Sequence, residues 1–167
     1  MKNNKPSTSK NSSCVIGEYY TICELYRNNL TPLVPPNPMN KSWDLIVLAS
    51  NKKPPVKLQI KTITWPRNKT KPTIRGKFSC DYDILIVVIV NYDDKTPYLL
   101  YIIPKRNIIE ANRGGLPHSS EEPNLKFNQK PKTNKNTIPF STLKNRVKEI
   151  MDKNYKNKWK FIEDLLQ

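Results

Sequence analysis

The chain has 167 residues and a net charge of +15, from 29 Lys and Arg against 14 Asp and Glu. The length suits one domain with a hydrophobic core of its own. A charge this large in a small protein repels itself unless a polyanion meets it. Nucleic acid is therefore the expected partner, with an anionic membrane surface second. The alternative explanation is an AT-rich genome, which enriches Lys, Asn and Ile.

Cysteine usage and hydropathy exclude several classes of protein. The three cysteines form no CxxC pair, and their odd number argues against a disulfide framework. The longest apolar run, at 84–90, is too short to span a bilayer. Residues 1–13 are polar and basic, lack a signal-peptide pattern, and are expected to be a disordered tail. We therefore expect a cytoplasmic or nucleoid-associated protein that is not secreted and binds no membrane.

The hydrophobic pattern predicts an α/β fold in one domain over residues 14–167, with a mixed sheet of about four strands flanked by helices. The predicted elements, in chain order, are a helix at 14–30, a Pro-rich connection at 31–40, strands at 43–49 and 56–63, a basic loop at 64–80, strands at 84–90 and 98–103, a loop at 112–139, and a helical region at 141–166 broken near Asn154. The unbroken apolar run ILIVVIV predicts a central strand that is covered on both faces.

Polar side chains alternate along the strand at 56–63. Gln59 and Lys61 point to one face, and a hairpin would bring Asp44 of the preceding strand beside them. Carboxylate and amide oxygens suit Mg²⁺, and an ammonium group can orient a water or offset charge on a phosphate. The alternative is an ordinary amphipathic strand with a solvated polar face.

A misplaced carboxylate and a long run of bases strengthen this interpretation. At 100° per residue Glu18 lies within the apolar stripe of its helix, close to Ile22 and Leu25. A carboxylate there is costly unless a cation or hydrogen bonds meet it, and pairing with a nearby Lys is the simpler explanation. Between Asp44 and Asp81 there are nine bases and no acid. Both features indicate an anionic ligand and a cation near this strand.

These residues together resemble the PD-(D/E)xK nuclease superfamily. The similarity runs over GEYYTICEL, SWDLIVLA and KLQIKT, followed by the two later strands. It implies a restriction-endonuclease-like fold and Mg²⁺-dependent hydrolysis of double-stranded DNA, with Mn²⁺ as a substitute. By position, Asp44, Gln59 and Glu18 would bind the metal and Lys61 would be the catalytic lysine. The layout is most similar to small intron-encoded homing endonucleases and also resembles restriction enzymes and archaeal Holliday-junction resolvases. Trp43 stands where the family has Pro, and Gln59 replaces the usual acid.

Further bases are candidates for contacts with DNA phosphates. They lie in the two predicted loops and are Arg67, Lys69, Lys71, Arg75, Lys77, Lys126, Lys130, Lys132 and Lys135. Cutting two strands with one small site per chain calls for at least a homodimer. The apolar face formed by Trp159, Ile162 and Leu166 is the predicted interface.

Two other functions remain open from the sequence. The chain could be a non-catalytic DNA- or RNA-binding protein that keeps a nuclease-like fold, because Gln59 is neutral and weakens a metal site. It could also be a basic accessory protein of a ribonucleoprotein. Recognition of a specific DNA site, and a role in homing, restriction or junction resolution, cannot be separated by these motifs.

Overall fold

A computed structural model describes residues 8–35, 43–49, 53–64, 73–76, 81–91, 93–110, 125–129, 136–139 and 153–167. Two helices in this part of the chain are α1 (Thr8–Arg27) and α2 (Lys160–Leu166), and a short 3-10 helix covers Lys105–Asn107. The strands are β1 (Pro32–Leu33), β2 (Leu45–Val47), β3 (Val56–Thr64), β4 (Thr73–Gly76), β5 (Ile84–Val90), β6 (Pro97–Pro104), β7 (Ile108–Glu110), β8 (Leu125–Gln129) and β9 (Asn136–Pro139).

The main sheet has five strands in the order β1-β2-β3-β5-β6. β3 and β5 are parallel, while the other neighbouring pairs are antiparallel. Helices α1 and α2 both contact β3 and β6. The prediction of a mixed α/β sheet flanked by helices is therefore confirmed. The helix predicted at 14–30 is present as α1, which begins six residues earlier, at Thr8, and ends at Arg27.

The core lies on both faces of the main sheet. One face packs even-numbered β3 residues against Leu25 of α1 and Ile162 of α2. The other face contains Tyr82, Tyr101 and Tyr155. All seven residues of β5 are buried, as expected of a central strand covered on both sides. β5 and β3 together form the rigid centre on which the polar side chains of β3 are held.

Three sequence-based expectations are corrected by the strands. The main sheet has five strands rather than four, because β1 lies in the predicted Pro-rich connection. Pro32 has no N–H to donate, and β1 is an edge strand, where this is tolerated. The predicted loops at 64–80 and 112–139 contain β4, β8 and β9, which form a second sheet in the order β4-β9-β8-β7. The partner of β4 is β9, which is distant in sequence, and polar, Pro-containing segments give little local sign of such pairing.

Two further corrections concern the termini. The predicted tail at 1–13 overlaps α1 from Thr8 onward, while residues 1–7 lie outside the described part. Residues 141–152 of the predicted C-terminal helical region also lie outside the described part. The break predicted near Asn154 comes slightly later, because the chain leaves a helical turn after residue 155, passes through a positive φ of 51° at Asn157, and re-enters helix at Lys160.

The predicted dimer interface at Trp159, Ile162 and Leu166 is also wrong. Trp159 and Ile162 are buried in the chain's own core, and Leu166 packs against it. None of the described helices is long and apolar enough to cross a membrane.

Candidate active site

Asp44 lies at the point where β2 begins to pair with β3. Leu45 is opposite Leu58 in the antiparallel register, so Asp44 comes opposite Gln59. The backbone N–H of Asp44 donates to the carbonyl of Leu58 at 2.8 Å. Its Oδ2 accepts the backbone N–H of Ile60 at 2.6 Å and a hydrogen bond from Nε2 of Gln59. Both bonds fall on one oxygen, so the other carboxylate oxygen, Oδ1, remains available as an acceptor.

Gln59 is buried, with 4% of its surface exposed, although its neighbours Lys57 and Lys61 on the same face are partly exposed. An ionised carboxylate only accepts hydrogen bonds, so the amide N–H₂ of Gln59 must face Asp44. In this arrangement Gln59 orients Asp44, and the amide oxygen is the atom left for another ligand.

Glu18 approaches β3 from helix α1 because Gly17 permits close contact. A Cβ on Gly17 would overlap Oγ1 of Thr62 and would lie 3.1 Å from the Thr62 Cβ. Gly17 is buried, and Thr21 donates its hydroxyl hydrogen to the Gly17 carbonyl at 2.8 Å. Near the start of the same helix, the hydroxyls of Ser13 and Thr64 are 3.3 Å apart. These contacts set α1 directly on β3 and bring the next residue, Glu18, to the site.

The carboxylates and the lysine interact electrostatically. Burial raises the pKa of Glu18, and the negative charge of Asp44 raises it further, while Lys61 opposes the shift. Burial also raises the pKa of Asp44, against the opposing effects of the Ile60 N–H, Lys61 and Gln59. Asp44 and Gln59 are thus in direct contact, and Glu18 and Lys61 lie close enough to interact with Asp44 electrostatically. Their catalytic role stays a prediction.

Lys57 shows what the other polar position of β3 does. Its ammonium pairs with Asp81 at 2.5 Å, and its backbone N–H donates to Oδ2 of Asp83 at 2.8 Å. Asp81 and Asp83 thus have structural roles just before the start of β5. Lys57 is held by acids outside the cluster, whereas Lys61 acts on the two clustered carboxylates.

The donor set at the cluster fits a hard divalent cation. It offers the carboxylates of Glu18 and Asp44 and the amide oxygen of Gln59, all oxygen ligands of the type Mg²⁺ prefers. The mutual repulsion of the two acids is a further reason to bind a cation there. Among the described residues no three His, Cys, Asp or Glu side chains come together. The third oxygen that the described residues offer is the neutral amide of Gln59, and such a site would bind the metal less tightly than one with three acids.

A cavity of about 240 Å³ lies elsewhere, at the start of β5, where Tyr82, Asp83 and Phe161 line it. Glu18, Asp44 and Lys61 are not among its lining residues. The candidate site is therefore separate from this cavity.

The predicted phosphate contacts are mostly outside the described residues. This applies to Arg67, Lys69, Lys71, Lys77, Lys130, Lys132 and Lys135. Arg75 lies in β4 and Lys126 in β8, where only the backbone is described. Their contact with DNA stays a prediction. The sequence analysis missed Gly17, although a glycine within a predicted helix is itself a sign of close backbone approach.

No protein-family model matches this sequence, and neither does the sequence of any curated protein. One solved structure that is similar to the chain is described as "The structure of a bacterial homing endonuclease: I-Ssp6803I". The match covers 59% of this chain and 67% of that one, with 20% identity and a TM-score of 0.45. Agreement at this level is partial.

Proposed function

We propose that this protein is a metal-dependent endonuclease that hydrolyses phosphodiester bonds in double-stranded DNA. The observation that carries the proposal is the cluster beside β3, in which the Asp44 carboxylate accepts hydrogen bonds from the buried Gln59 amide and the Ile60 N–H. Glu18 and Lys61 interact electrostatically with this carboxylate. The order of these residues along the chain resembles the PD-(D/E)xK nuclease superfamily. The net charge of +15 suits a polyanionic substrate.

Glu18, Asp44 and the amide oxygen of Gln59 would hold Mg²⁺, or Mn²⁺ in its place. Such a cation lowers the pKa of a bound water and offsets negative charge on a phosphate. Gln59 and the Ile60 N–H hold the Asp44 carboxylate in place through its Oδ2, so that Oδ1 would be the oxygen that binds the cation. Because Asp44 is already held before substrate binds, less conformational freedom of this side chain has to be lost during the reaction.

Lys61 is the cation that β3 contributes to the cluster. Its ammonium group can donate hydrogen bonds to the attacking water and to a non-bridging phosphate oxygen, whose negative charge grows in the transition state. Its positive charge offsets part of the negative charge of the two carboxylates before substrate arrives. The lysine therefore acts on the reaction more than on ground-state binding.

Cleavage of supercoiled plasmid DNA with Mg²⁺ or Mn²⁺ tests the proposal, with Lys61→Ala as the variant. We expect the cleavage rate to fall by about 10²-fold or more, because stabilisation of the transition state is lost. Duplex binding in metal-free buffer should change little, since one of 29 bases is removed. Binding and cleavage are thereby measured separately.

Lys57→Ala is the matched control. Lys57 lies on the same strand and face, four residues before Lys61 and two before Gln59, but its ammonium pairs with Asp81. This control should cleave at the wild-type rate. If the wild-type protein binds DNA but never nicks it with either metal, the protein is a non-catalytic nucleic-acid-binding protein. Equal loss in both lysine variants would instead assign the effect to general charge.

We also propose that the protein acts as a homodimer or higher oligomer when it cuts both strands, since each chain carries one cluster. Dependence of double-strand cutting on protein concentration, with nicking that is independent of it, would support this.

The preferred substrate separates homing, restriction and junction resolution. Cleavage of a branched four-way junction should therefore be compared with cleavage of a linear duplex of the same sequence.

A further inference from the structure

The segment at 153–160 carries a second basic surface, which we call the C-terminal ridge. It consists of the exposed lysines Lys153, Lys156, Lys158 and Lys160. No acid occurs between positions 153 and 162. Within the part of the chain that the structure describes, none of these lysines forms an ion pair, whereas Lys57 pairs with Asp81 and Arg27 with Glu24. The ridge is therefore a cluster of four exposed positive charges that form no ion pair with the residues that the structure describes.

Buried aromatic residues hold the ridge in place. Tyr155 and Trp159 alternate with the lysines, and they are 1% and 7% exposed. Tyr155 accepts a hydrogen bond from Nδ2 of Asn107 at 2.9 Å, and its ring lies 6.3 Å from that of Phe161. The lysines thus project from a fixed backbone. Less backbone entropy is lost on binding than for a flexible basic loop.

The ridge covers the open edge of the main sheet. Lys156 forms an antiparallel bridge with Tyr101 of β6, and the N–H of Asn157 donates to the Leu100 carbonyl at 3.1 Å. The positive φ of Asn157 turns the chain away again toward α2. The position of Lys156 is therefore set by main-chain pairing.

Register places the ridge in line with the candidate active site. Lys61 of β3 is opposite Val87 of β5, which is opposite Tyr101 of β6. Tyr101 in turn is opposite Lys156. One row across the sheet thus has a lysine at each end, three strand spacings or about 14 Å apart. That distance corresponds to about four base pairs of duplex, at about 3.4 Å per step.

From this row we propose that the C-terminal ridge binds backbone phosphates of duplex DNA on one side of the bond cleaved at Lys61. The inference rests on the proposed nuclease function. The lysines present ammonium groups and no base-reading amide or guanidinium fork, so they contribute affinity and orientation rather than sequence preference. The ridge would fix the direction in which the duplex crosses β3.

Two variants with equal charge loss test the proposal. The ridge variant carries Lys156→Gln, Lys158→Gln and Lys160→Gln, and the control carries Arg27→Gln, Lys53→Gln and Lys57→Gln. Binding to a labelled blunt DNA duplex is measured in metal-free buffer over a series of salt concentrations. For the ridge variant we expect the slope of log affinity against log salt to decrease by roughly two to three. Affinity at physiological salt should fall by on the order of tenfold or more.

The ridge proposal is overturned if both variants lose affinity equally or if neither does. An RNA duplex of equal length is the second probe, and a loss confined to RNA would reassign the partner. Thermal unfolding of both variants should match the wild type, since all replaced side chains are at least partly exposed. If the ridge variant loses affinity but the wild type never cleaves DNA, the ridge stands and the nuclease proposal fails. If the wild type cleaves DNA and the ridge variant keeps its affinity, the nuclease proposal stands and the ridge proposal fails.

Discussion

β3 and β5 lie side by side in parallel and differ in what they carry. β5 is apolar and buried at all seven positions, so both its faces serve packing. β3 is buried at Leu58 and Ile60 on one face, while Gln59 and Lys61 on the other face join the polar cluster. A buried amide weakens a core unless its hydrogen bonds are met. The contrast indicates that β5 mainly stabilises the core. On β3, Gln59 and Lys61 stabilise the core less than apolar residues would, and they form part of the site instead.

The sharpest test of this contrast is Asp44→Asn beside β3. We expect cleavage to fall by on the order of 10³-fold or more, because a cation ligand becomes a neutral amide. The fold should persist, since an amide oxygen can still accept the Ile60 N–H. Plasmid cleavage at saturating Mg²⁺, together with circular dichroism, measures both effects. Unchanged cleavage would show that the cluster is not the reaction centre.

Gly17→Ala tests how the helix is joined to β3. The added methyl group meets the Thr62 side chain, so α1 must shift, at a cost of roughly 1–3 kcal/mol in the free energy of unfolding. Cleavage should fall as well, because Glu18 moves with the helix. The double variant with Thr62→Ala removes Oγ1 and should recover part of both losses. Without this recovery, the close contact is not what positions Glu18.

Ile86→Val makes the corresponding change in β5. Ile86 is fully buried, and removal of one methylene should cost about 0.5–1.5 kcal/mol in the free energy of unfolding. Cleavage per folded molecule should remain at the wild-type value, because β5 contributes no side chain to the cluster. Denaturant unfolding and initial cleavage rates measure the two quantities. A specific loss of activity here would mean that β5 positions the site as well as supporting it.

The two strands also show how far the sequence predicts this molecule. The unbroken apolar run of β5 identified its burial, and alternation along β3 identified the shared face of Gln59 and Lys61. Helical geometry likewise indicated that Glu18 was out of place on an apolar stripe. The second sheet was not predicted, since β4 pairs with a strand more than 60 residues away. The hydrogen bond from Gln59 to Asp44 depends on the exact approach of two strands, which residue spacing does not encode.

The smallest expected effect concerns the pH dependence of stability. The pKa of Glu18 is raised in the folded protein, so the fold binds its proton more tightly than the unfolded chain does. Stability from this group is therefore fully present below the ordinary Glu pKa of about 4.3 and decreases as pH rises through the higher folded value. Glu18→Gln should be more stable than the wild type at neutral pH in metal-free buffer. The difference should vanish in acid.

Mg²⁺ should reverse that order, because it stabilises only the protein that binds it well. Thermal unfolding from acid to neutral pH, with and without Mg²⁺, measures both effects. Ile86→Val is the control, since β5 carries no titratable side chain and its stability difference from the wild type should not change with pH. A Glu18→Gln difference that is equally independent of pH would mean that Glu18 is not strained by burial beside Asp44. The cation would then have no repulsion to relieve, and the donor set of the cluster would lose its main electrostatic reason to bind metal.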